Sequence, residues 1–213
     1  MDIIPHKTPF WLKQMYPKRI WDGVSANEGN KVIYLTFDDG PIPIVTPWVL
    51  EVLNEFSAKA SFFCIGENLK KHREIAQQIV AGGHALGNHT LHHVNGWETP
   101  FKTYGKEVDE TTNLFKKQNL KTDLFRPPYG RMTSKQAEYV LNKNYKIIMW
   151  DVLTKDYNTK LNPKILLQKS IEATVNGSIV VFHDSEKAFA NLKFILPRYL
   201  KHFADLGYQF KAL

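Results

Sequence analysis

Short apolar runs alternate with amphipathic segments along this chain. The apolar runs occupy residues 32–37, 60–66, 84–89, 123–128, 146–152, 178–184 and 208–213. Most of them are near-continuously apolar rather than alternating, which is typical of strands buried on both faces. Helical periodicity marks the intervening residues 46–56, 67–83, 134–144, 162–177 and 191–207. Repeated strand–helix units of this kind predict a parallel sheet.

Local signals predict where some helices begin and end. Thr46 and Pro47 favour a helix start, because proline is well tolerated in the first turn. Gly82 and Gly83 favour a helix stop. Pro197 lies inside the last helical segment and is expected to kink or interrupt it.

About seven strand–helix units in 213 residues favour a single α/β domain with a barrel-like arrangement, one unit short of the eightfold barrel. An open, doubly wound sheet is the alternative. Residues 1–30 contain two tryptophans and three prolines and lack the pattern. We expect residues 1–30 to form an irregular N-terminal extension that packs on the barrel, and residues 31–213 to form the domain.

Composition excludes few classes of protein. The chain is 43% hydrophobic and 23% charged, as is ordinary for a globular domain. Its net charge of +7 permits an anionic partner, but the basic residues are scattered along short stretches such as 68–73 and 114–121. Since no recognised nucleic-acid motif accompanies them, a nucleic-acid partner is not expected.

The sequence also bears on location and redox chemistry. No apolar run is long enough for a transmembrane segment, and the N-terminus lacks a signal-peptide pattern. We therefore expect a cytoplasmic protein, or a cell-envelope or secreted one if the sequence is a trimmed piece. Cys64 is the single cysteine, so no intrachain disulfide can form, and a role as a small core residue is expected.

Polar side chains cluster at the predicted carboxyl ends of the strands, which meet at one face of a barrel, where active sites lie. The residues in question are Asp38, Asp39, His89, His93, Arg126, Asp156 and His183. His89 and His93 have the i, i+4 spacing that places two imidazoles on one face of a helical turn. One carboxylate of Asp38 and Asp39 can complete a two-His, one-carboxylate metal set, which leaves the other free to act as a base.

The remaining polar stretches suggest supporting roles. Arg126 could orient the base through a bidentate pair. The backbone N–H of Tyr129, in a proline-rich turn, could donate to a developing oxyanion. His183 could act as a general acid toward a leaving amine.

Together these stretches make residues 30–213 resemble the polysaccharide deacetylases with a NodB-homology domain, the carbohydrate esterase family 4 type. The family motif T-F-D-D-G is present as Thr36–Gly40, H-[ST]-x-x-H as His89–His93, and R-x-P-[FY] as Arg126–Tyr129. A histidine preceded two positions earlier by a hydrophobic residue is present as Val181 and His183. Four motifs in the family's order make this a specific match.

The resemblance implies a distorted (β/α)7 barrel and metal-dependent hydrolysis of an acetyl group, most often N-acetyl, on a carbohydrate. It implies Asp38 as base, His183 as acid, Arg126 as the residue that positions Asp38, and Asp156 as the residue that tunes His183. It implies Asp39, His89 and His93 as ligands of one divalent metal ion, with Zn²⁺ favoured and Co²⁺, Ni²⁺ or Mn²⁺ as alternatives. Tyr129, Tyr157 and Val181 are implied to contact the substrate or its oxyanion.

One motif departs from the family pattern D-[SA]-x-D-[WY]. Asp156 and Tyr157 match its end, but Leu153 stands where the first aspartate is expected, and Asp151 lies two positions too early. The sequence leaves the glycan and the oligomeric state open. It also leaves two alternatives: a related hydrolase of a linear amide or cyclic ureide, and a binding module without catalysis. The presence of Asp38 and His183 argues against the binding module.

Overall fold

A single parallel sheet organises the part of the chain that this computed structural model describes, residues 5–23 and 31–213. Within these residues the sheet has eight strands in the order β5-β4-β3-β2-β1-β7-β6, with β8 paired to β1. The strands are β1 (Lys31–Asp38), β2 (Ser61–Cys64), β3 (Ala85–Asn88), β4 (Leu124–Phe125), β5 (Lys146–Ile147), β6 (Val152–Leu153), β7 (Ile179–His183) and β8 (Tyr208–Lys211). The strands curl into an incomplete barrel, and the predicted distorted (β/α)7 barrel is confirmed.

Helices connect most of the strands. They are α1 (Phe10–Met15), α2 (Val45–Glu55), α3 (Gly66–Lys71), α4 (Arg73–Ala81), α5 (Phe101–Lys117), α6 (Ser134–Asn142), α7 (Pro163–Ala173) and α8 (Phe189–Asp205). In the described residues, no helix combines the length and the apolar character needed to cross a membrane.

The core explains why the site residues point where they do. Phe37 on β1 is in register with Phe62 on β2 and Phe182 on β7, and the ring centroids lie 5.0 and 5.6 Å apart. All three side chains are buried in the main hydrophobic cluster. Because side chains alternate along a strand, Thr36 and Asp38 point to the opposite face, toward the barrel interior.

The apolar run at 146–152 is two strands rather than one. The backbone N–H of Ile148 donates to Phe125, beyond the end of β5, whereas that of Asp151 donates to Ile179. The chain thus passes from one end of the sheet to the other within this run. The prediction of one strand here was wrong, because continuous apolarity does not reveal a change of pairing partner.

Two helix predictions also need correction. Helix α2 begins at Val45, so Thr46 is inside its first turn; the Thr46 hydroxyl accepts from the N–H of Ile42 instead of capping the helix. Helix α8 is not interrupted at Pro197, because the face that carries Leu196, Tyr199 and Leu200 is buried against the sheet; a kink at Pro197 stays a prediction. The stop at Gly82 is confirmed, since α4 ends at Ala81.

The described N-terminal residues lie between the two ends of the sheet. Ile20 forms a parallel bridge with Ile148, and Lys7 an antiparallel bridge with Val152. Buried Asp151 accepts from Lys7 Nζ at 2.5 Å and from Lys13 Nζ at 2.6 Å. The division of the chain at residue 30 stays a prediction, and residues 1–4 and 24–30 of that extension lie outside the described residues.

Candidate active site

Asp38, the last residue of β1, is held by a fully buried arginine. Arg126 Nη1 donates to Asp38 Oδ1 at 2.6 Å and to Thr36 Oγ1 at 2.8 Å. Its Nη2 and Nε donate to the carbonyls of Met149 and Ile148. The guanidinium is therefore fixed on three sides, and it fixes the orientation of the carboxylate of Asp38.

The electrostatics of Asp38 keep it ionised. Burial acts to raise the pKa of Asp38, but the positive charge of Arg126, with smaller contributions from His89 and His183, outweighs burial and holds that pKa below its ordinary value. At neutral pH Asp38 is thus a carboxylate able to accept a proton.

Asp39, His89 and His93 bring three ligand atoms together. Asp39 Oδ1 lies 3.4 Å from His93 Nε2 and 3.9 Å from His89 Nε2. One ligand atom from each residue lies within 4.8 Å of the others. Asp39 Oδ1 is buried and has no hydrogen-bond partner among the described residues. A buried carboxylate oxygen facing two imidazole nitrogens fits a divalent metal ion with open positions.

The two histidines are in the state that a metal requires. His89 Nδ1 lies 2.7 Å from the carbonyl oxygen of Arg126, which can only accept, so Nδ1 carries the proton and Nε2 keeps its lone pair. Burial lowers the pKa of His89. Burial, with the charge of His89, lowers the pKa of His93 to about 4. Both imidazoles are consequently neutral near pH 7.

The segment that carries these histidines is a loop, so the predicted helical turn was wrong. Strand β3 ends at Asn88, and Thr90 and His93 then adopt positive φ angles of 63° and 57°. The Asn88 side chain accepts from the N–H of Thr90 at 2.9 Å, and the Thr90 hydroxyl accepts from the N–H of Val94 at 3.2 Å. Side-chain bonds to the backbone thus replace helix bonds.

His183, at the end of β7, pairs with Asp156. His183 Nδ1 lies 2.7 Å from Asp156 Oδ1, and the N–H of His183 donates to Asp156 Oδ2 at 2.8 Å. Burial acts to lower the pKa of His183, but the charge and hydrogen bond of Asp156 outweigh it and raise that pKa to about 9. With Nδ1 bonded to Asp156, Nε2 is the nitrogen available to a substrate.

Asp184 contacts the segment that follows Asp39, and the sequence analysis did not identify it. Its Oδ1 accepts from the N–H of Gly40 at 3.1 Å, and its Oδ2 accepts from the Thr46 hydroxyl at 2.6 Å. A Cβ at Gly40 would lie 2.0 Å from Asp184 Oδ2, so only glycine fits there. Burial, together with the charge of Asp39, raises the pKa of Asp184 to about 8.

A pocket of about 510 Å³ unites these groups. Asp38, Asp39, His89, His93, Tyr129, Tyr157, Val181 and His183 all line it. Arg126 and Asp156 are buried and contact Asp38 and His183. Leu153 and Val181 are register partners on β6 and β7 and form an apolar wall. The lining residues that the sequence analysis did not identify are Trp150, Arg131, Ser185 and Lys187.

Two tyrosines flank His93 and His183. Tyr129 has a positive φ of 58°, is 60% exposed, and its ring centroid lies 4.6 Å from that of His93. The Tyr157 ring packs edge-on against His183 with centroids 4.9 Å apart. His92, by contrast, is exposed and pairs with Glu107 outside the pocket.

Comparison with known proteins points to one family. The family described as polysaccharide deacetylase matches residues 25–148, more than half of the chain. A peptidoglycan-N-acetylglucosamine deacetylase of Bacillus cereus is 29% identical over 192 residues, covering 89% of this chain and 88% of that protein. A chitooligosaccharide deacetylase of Azorhizobium caulinodans is 35% identical over 169 residues, covering 76% of each chain.

Solved structures agree with this match. The crystal structure of the peptidoglycan N-acetylglucosamine deacetylase Bc1960, in complex with 4-naphthalen-1-yl-N-oxidanyl-benzamide, superposes with a TM-score of 0.86. It is 26% identical in sequence, and the alignment covers 97% of this chain and 95% of that one.

Proposed function

The chain belongs to the polysaccharide deacetylase family and is a carbohydrate deacetylase, and we propose that it removes N-acetyl groups from a glucosamine-containing glycan with the aid of one bound divalent metal ion. The observation that carries the proposal is that two groups with oppositely shifted pKa values lie beside one set of candidate metal ligands. Asp38 with its lowered pKa, His183 with its raised pKa, and the Asp39–His89–His93 group all face one pocket. Separated pKa values of this kind suit a base and an acid in one site.

The proposed metal ion supplies one part of the chemistry. When it is bound by Asp39, His89 and His93, the ion supplies Lewis acidity toward the acetyl carbonyl and the attacking water. Zn²⁺ is the ion that best suits a site with two neutral imidazoles and one carboxylate, and Co²⁺, Ni²⁺ and Mn²⁺ accept the same ligands.

Asp38 is proposed as the base. As water attacks the acetyl carbon, Asp38 accepts one of its protons, and the hydrogen bond from Arg126 Nη1 keeps the carboxylate oriented while it does so. The backbone N–H of Tyr129 donates to the oxygen on which negative charge develops. Leu153 and Val181 offer an apolar surface for the acetyl methyl group.

His183 is proposed as the acid. Its Nε2 gives a proton to the amide nitrogen as the carbon–nitrogen bond breaks, and the products are acetate and the free amine of the sugar. Asp156 holds Nδ1 and stabilises the protonated ring before the transfer. One water is consumed in each turnover.

The test is release of acetate from defined substrates. The zinc-loaded protein is incubated with fully acetylated chitotetraose and with peptidoglycan fragments, and acetate and new amines are both measured. We expect equal amounts of the two products, and loss of both with Asp38→Asn but not with His92→Gln, which alters an exposed histidine outside the pocket. Hydrolysis of a linear amide or a cyclic ureide, with no acetate from any acetylated sugar, would contradict the proposal.

A further inference from the structure

A second groove lies between the N-terminal segment and helix α6. Residues 15–19 form one wall, and Ser134, Ala137, Glu138, Leu141, Asn142 and Ile147 form the rest. Its volume is about 510 Å³, and it shares no lining residue with the active-site pocket. The proposed deacetylation makes no use of this groove.

Arg19 in this groove is a largely buried cation that has no counter-ion among the described residues. It is only 9% exposed, and its guanidinium carbon lies 4.1 Å from the centroid of the Tyr16 ring. Within residues 5–23 and 31–213 its side chain makes no ion pair and no hydrogen bond. Arg126, which is fully buried, instead donates to a carboxylate, a hydroxyl and two carbonyls.

None of the guanidinium nitrogens of Arg19 is among the fully buried atoms that lack a hydrogen-bond partner, so these donors remain open to the groove. A guanidinium without a counter-ion in such a groove favours an anionic ligand. Burial lowers the pKa of Arg19, yet a guanidinium stays protonated in proteins. Glu138 is the one carboxylate among the lining residues; it is exposed and makes no ion pair with Arg19. The guanidinium therefore has planar donors that can still bind an oxyanion.

The other groove walls define the rest of the ligand. Met15, Tyr16, Ala137, Leu141 and Ile147 supply apolar surface beside the guanidinium. We propose that this groove binds a small organic anion, whose carboxylate or phosphate group pairs with Arg19 while an apolar body rests on Tyr16, Leu141 and Ile147. Such a ligand would join residues 15–19 to α6 and so stabilise the folded chain.

Protein NMR with defined probes tests this site. Benzoate, phenyl phosphate and benzyl alcohol are titrated into the zinc-loaded, ¹⁵N-labelled protein. The first two probes distinguish a carboxylate from a phosphate ligand, and the third is the uncharged control. We expect one anion or both to shift the amide signals of Tyr16, Arg19 and Ala137 with saturation, and benzyl alcohol to have little effect.

Variants then isolate the contribution of Arg19. Arg19→Gln should weaken anion binding at these signals by about tenfold or more, since charge-assisted bonds are lost. Lys18→Gln removes an exposed charge from the same groove and should change the affinity by less than about threefold. Glu138→Gln should bind the anion at least as tightly as the unaltered chain.

Several results would overturn the site. These are equal shifts with benzyl alcohol and benzoate, unchanged affinity in Arg19→Gln, weaker binding in Glu138→Gln, or shifts confined to the active-site signals of His89 and His183. If Arg19→Gln does not fold, the comparison of benzoate with benzyl alcohol in the unaltered chain still decides the question. Loss of deacetylase activity would leave this inference untouched, because binding is read at a separate groove.

Discussion

Asp156 holds His183 by two contacts from one carboxylate: one oxygen lies 2.7 Å from His183 Nδ1, and the other accepts the backbone N–H of His183 at 2.8 Å. The backbone contact fixes the distance, so the charge of Asp156 acts on the imidazole at constant geometry. The raised pKa of His183, about 9, follows from this pair despite the opposing effect of burial.

We expect Asp156→Asn to move the alkaline limb of the kcat/KM profile to lower pH by about one unit or more. The acid must carry its proton, so activity is lost as pH rises through the pKa of His183, and removal of the nearby charge lowers that pKa. The measurement is kcat/KM against pH for both proteins. The acidic limb, which reports Asp38, should stay roughly in place.

A matched control for this prediction is Asp205→Asn, which removes an exposed aspartate paired with Lys201 far from the pocket. It should leave both limbs unchanged. An alkaline limb that does not move in an active, metal-loaded Asp156→Asn protein would show that Asp156 does not tune His183.

Asp38→Asn should lower kcat by about a hundredfold or more while the metal stays bound. Asparagine keeps the shape of the side chain but cannot take a proton from water, and Asp39, His89 and His93 are unchanged. Turnover and metal content are measured on the same preparation. Near-full activity would mean that another residue is the base.

Protein purified without chelator should contain close to one equivalent of zinc or another divalent transition-metal ion. His93→Gln should weaken metal binding by about tenfold or more, because one of three ligands is altered. His92→Gln is the control. Because His92 pairs with Glu107 outside the pocket, this change should leave the metal affinity unaltered. Activity that survives a strong chelator, in protein shown to be metal-free, would exclude a metal-dependent reaction.

Asp184→Ala should lower the free energy of unfolding by about 2 kcal/mol or more, because the N–H of Gly40 and the hydroxyl of Thr46 lose a buried acceptor. It should also weaken metal binding, since Gly40 adjoins the ligand Asp39. Asp184→Asn retains one oxygen acceptor, so it should lower the free energy of unfolding and the metal affinity by less than Asp184→Ala does. Urea unfolding of the two variants is the measurement, and equal losses in both would argue against this role for the hydrogen bonds.

Much of the fold could be predicted because local pattern and tertiary role agree. The run 32–37 is near-continuously apolar, and the structure buries most of it on both faces between β2 and β7. The curled sheet then brings the carboxyl ends of the strands to one pocket. The candidate residues therefore converge although they are far apart in sequence.

Other features depend on contacts that no local pattern reveals. In α5, the buried positions Tyr104, Val108, Thr111 and Phe115 have helical spacing, but the many charges and Gly105 between them hide it, so residues 101–113 were not predicted as a helix. The spacing of His89 and His93 predicted a helical turn. The segment is instead a loop, because the side chain of Asn88 accepts a hydrogen bond from the N–H of Thr90. The only feature of the sequence that could have pointed to Asp184 is its position directly after His183.

The bridges of the N-terminal segment have a consequence for the order of events during biosynthesis. Lys7, Ile20 and Asp22 pair with Val152, Ile148 and Ser178, all of which leave the ribosome much later. Residues 7–22 therefore cannot pair with the sheet until most of its strands have been synthesised. Each of these contacts also closes a very long loop of the chain. Contacts of such sequence separation slow folding. A chain arrested during translation before Ile148 emerges would lack all three of the partners that hold residues 7–22 against the sheet.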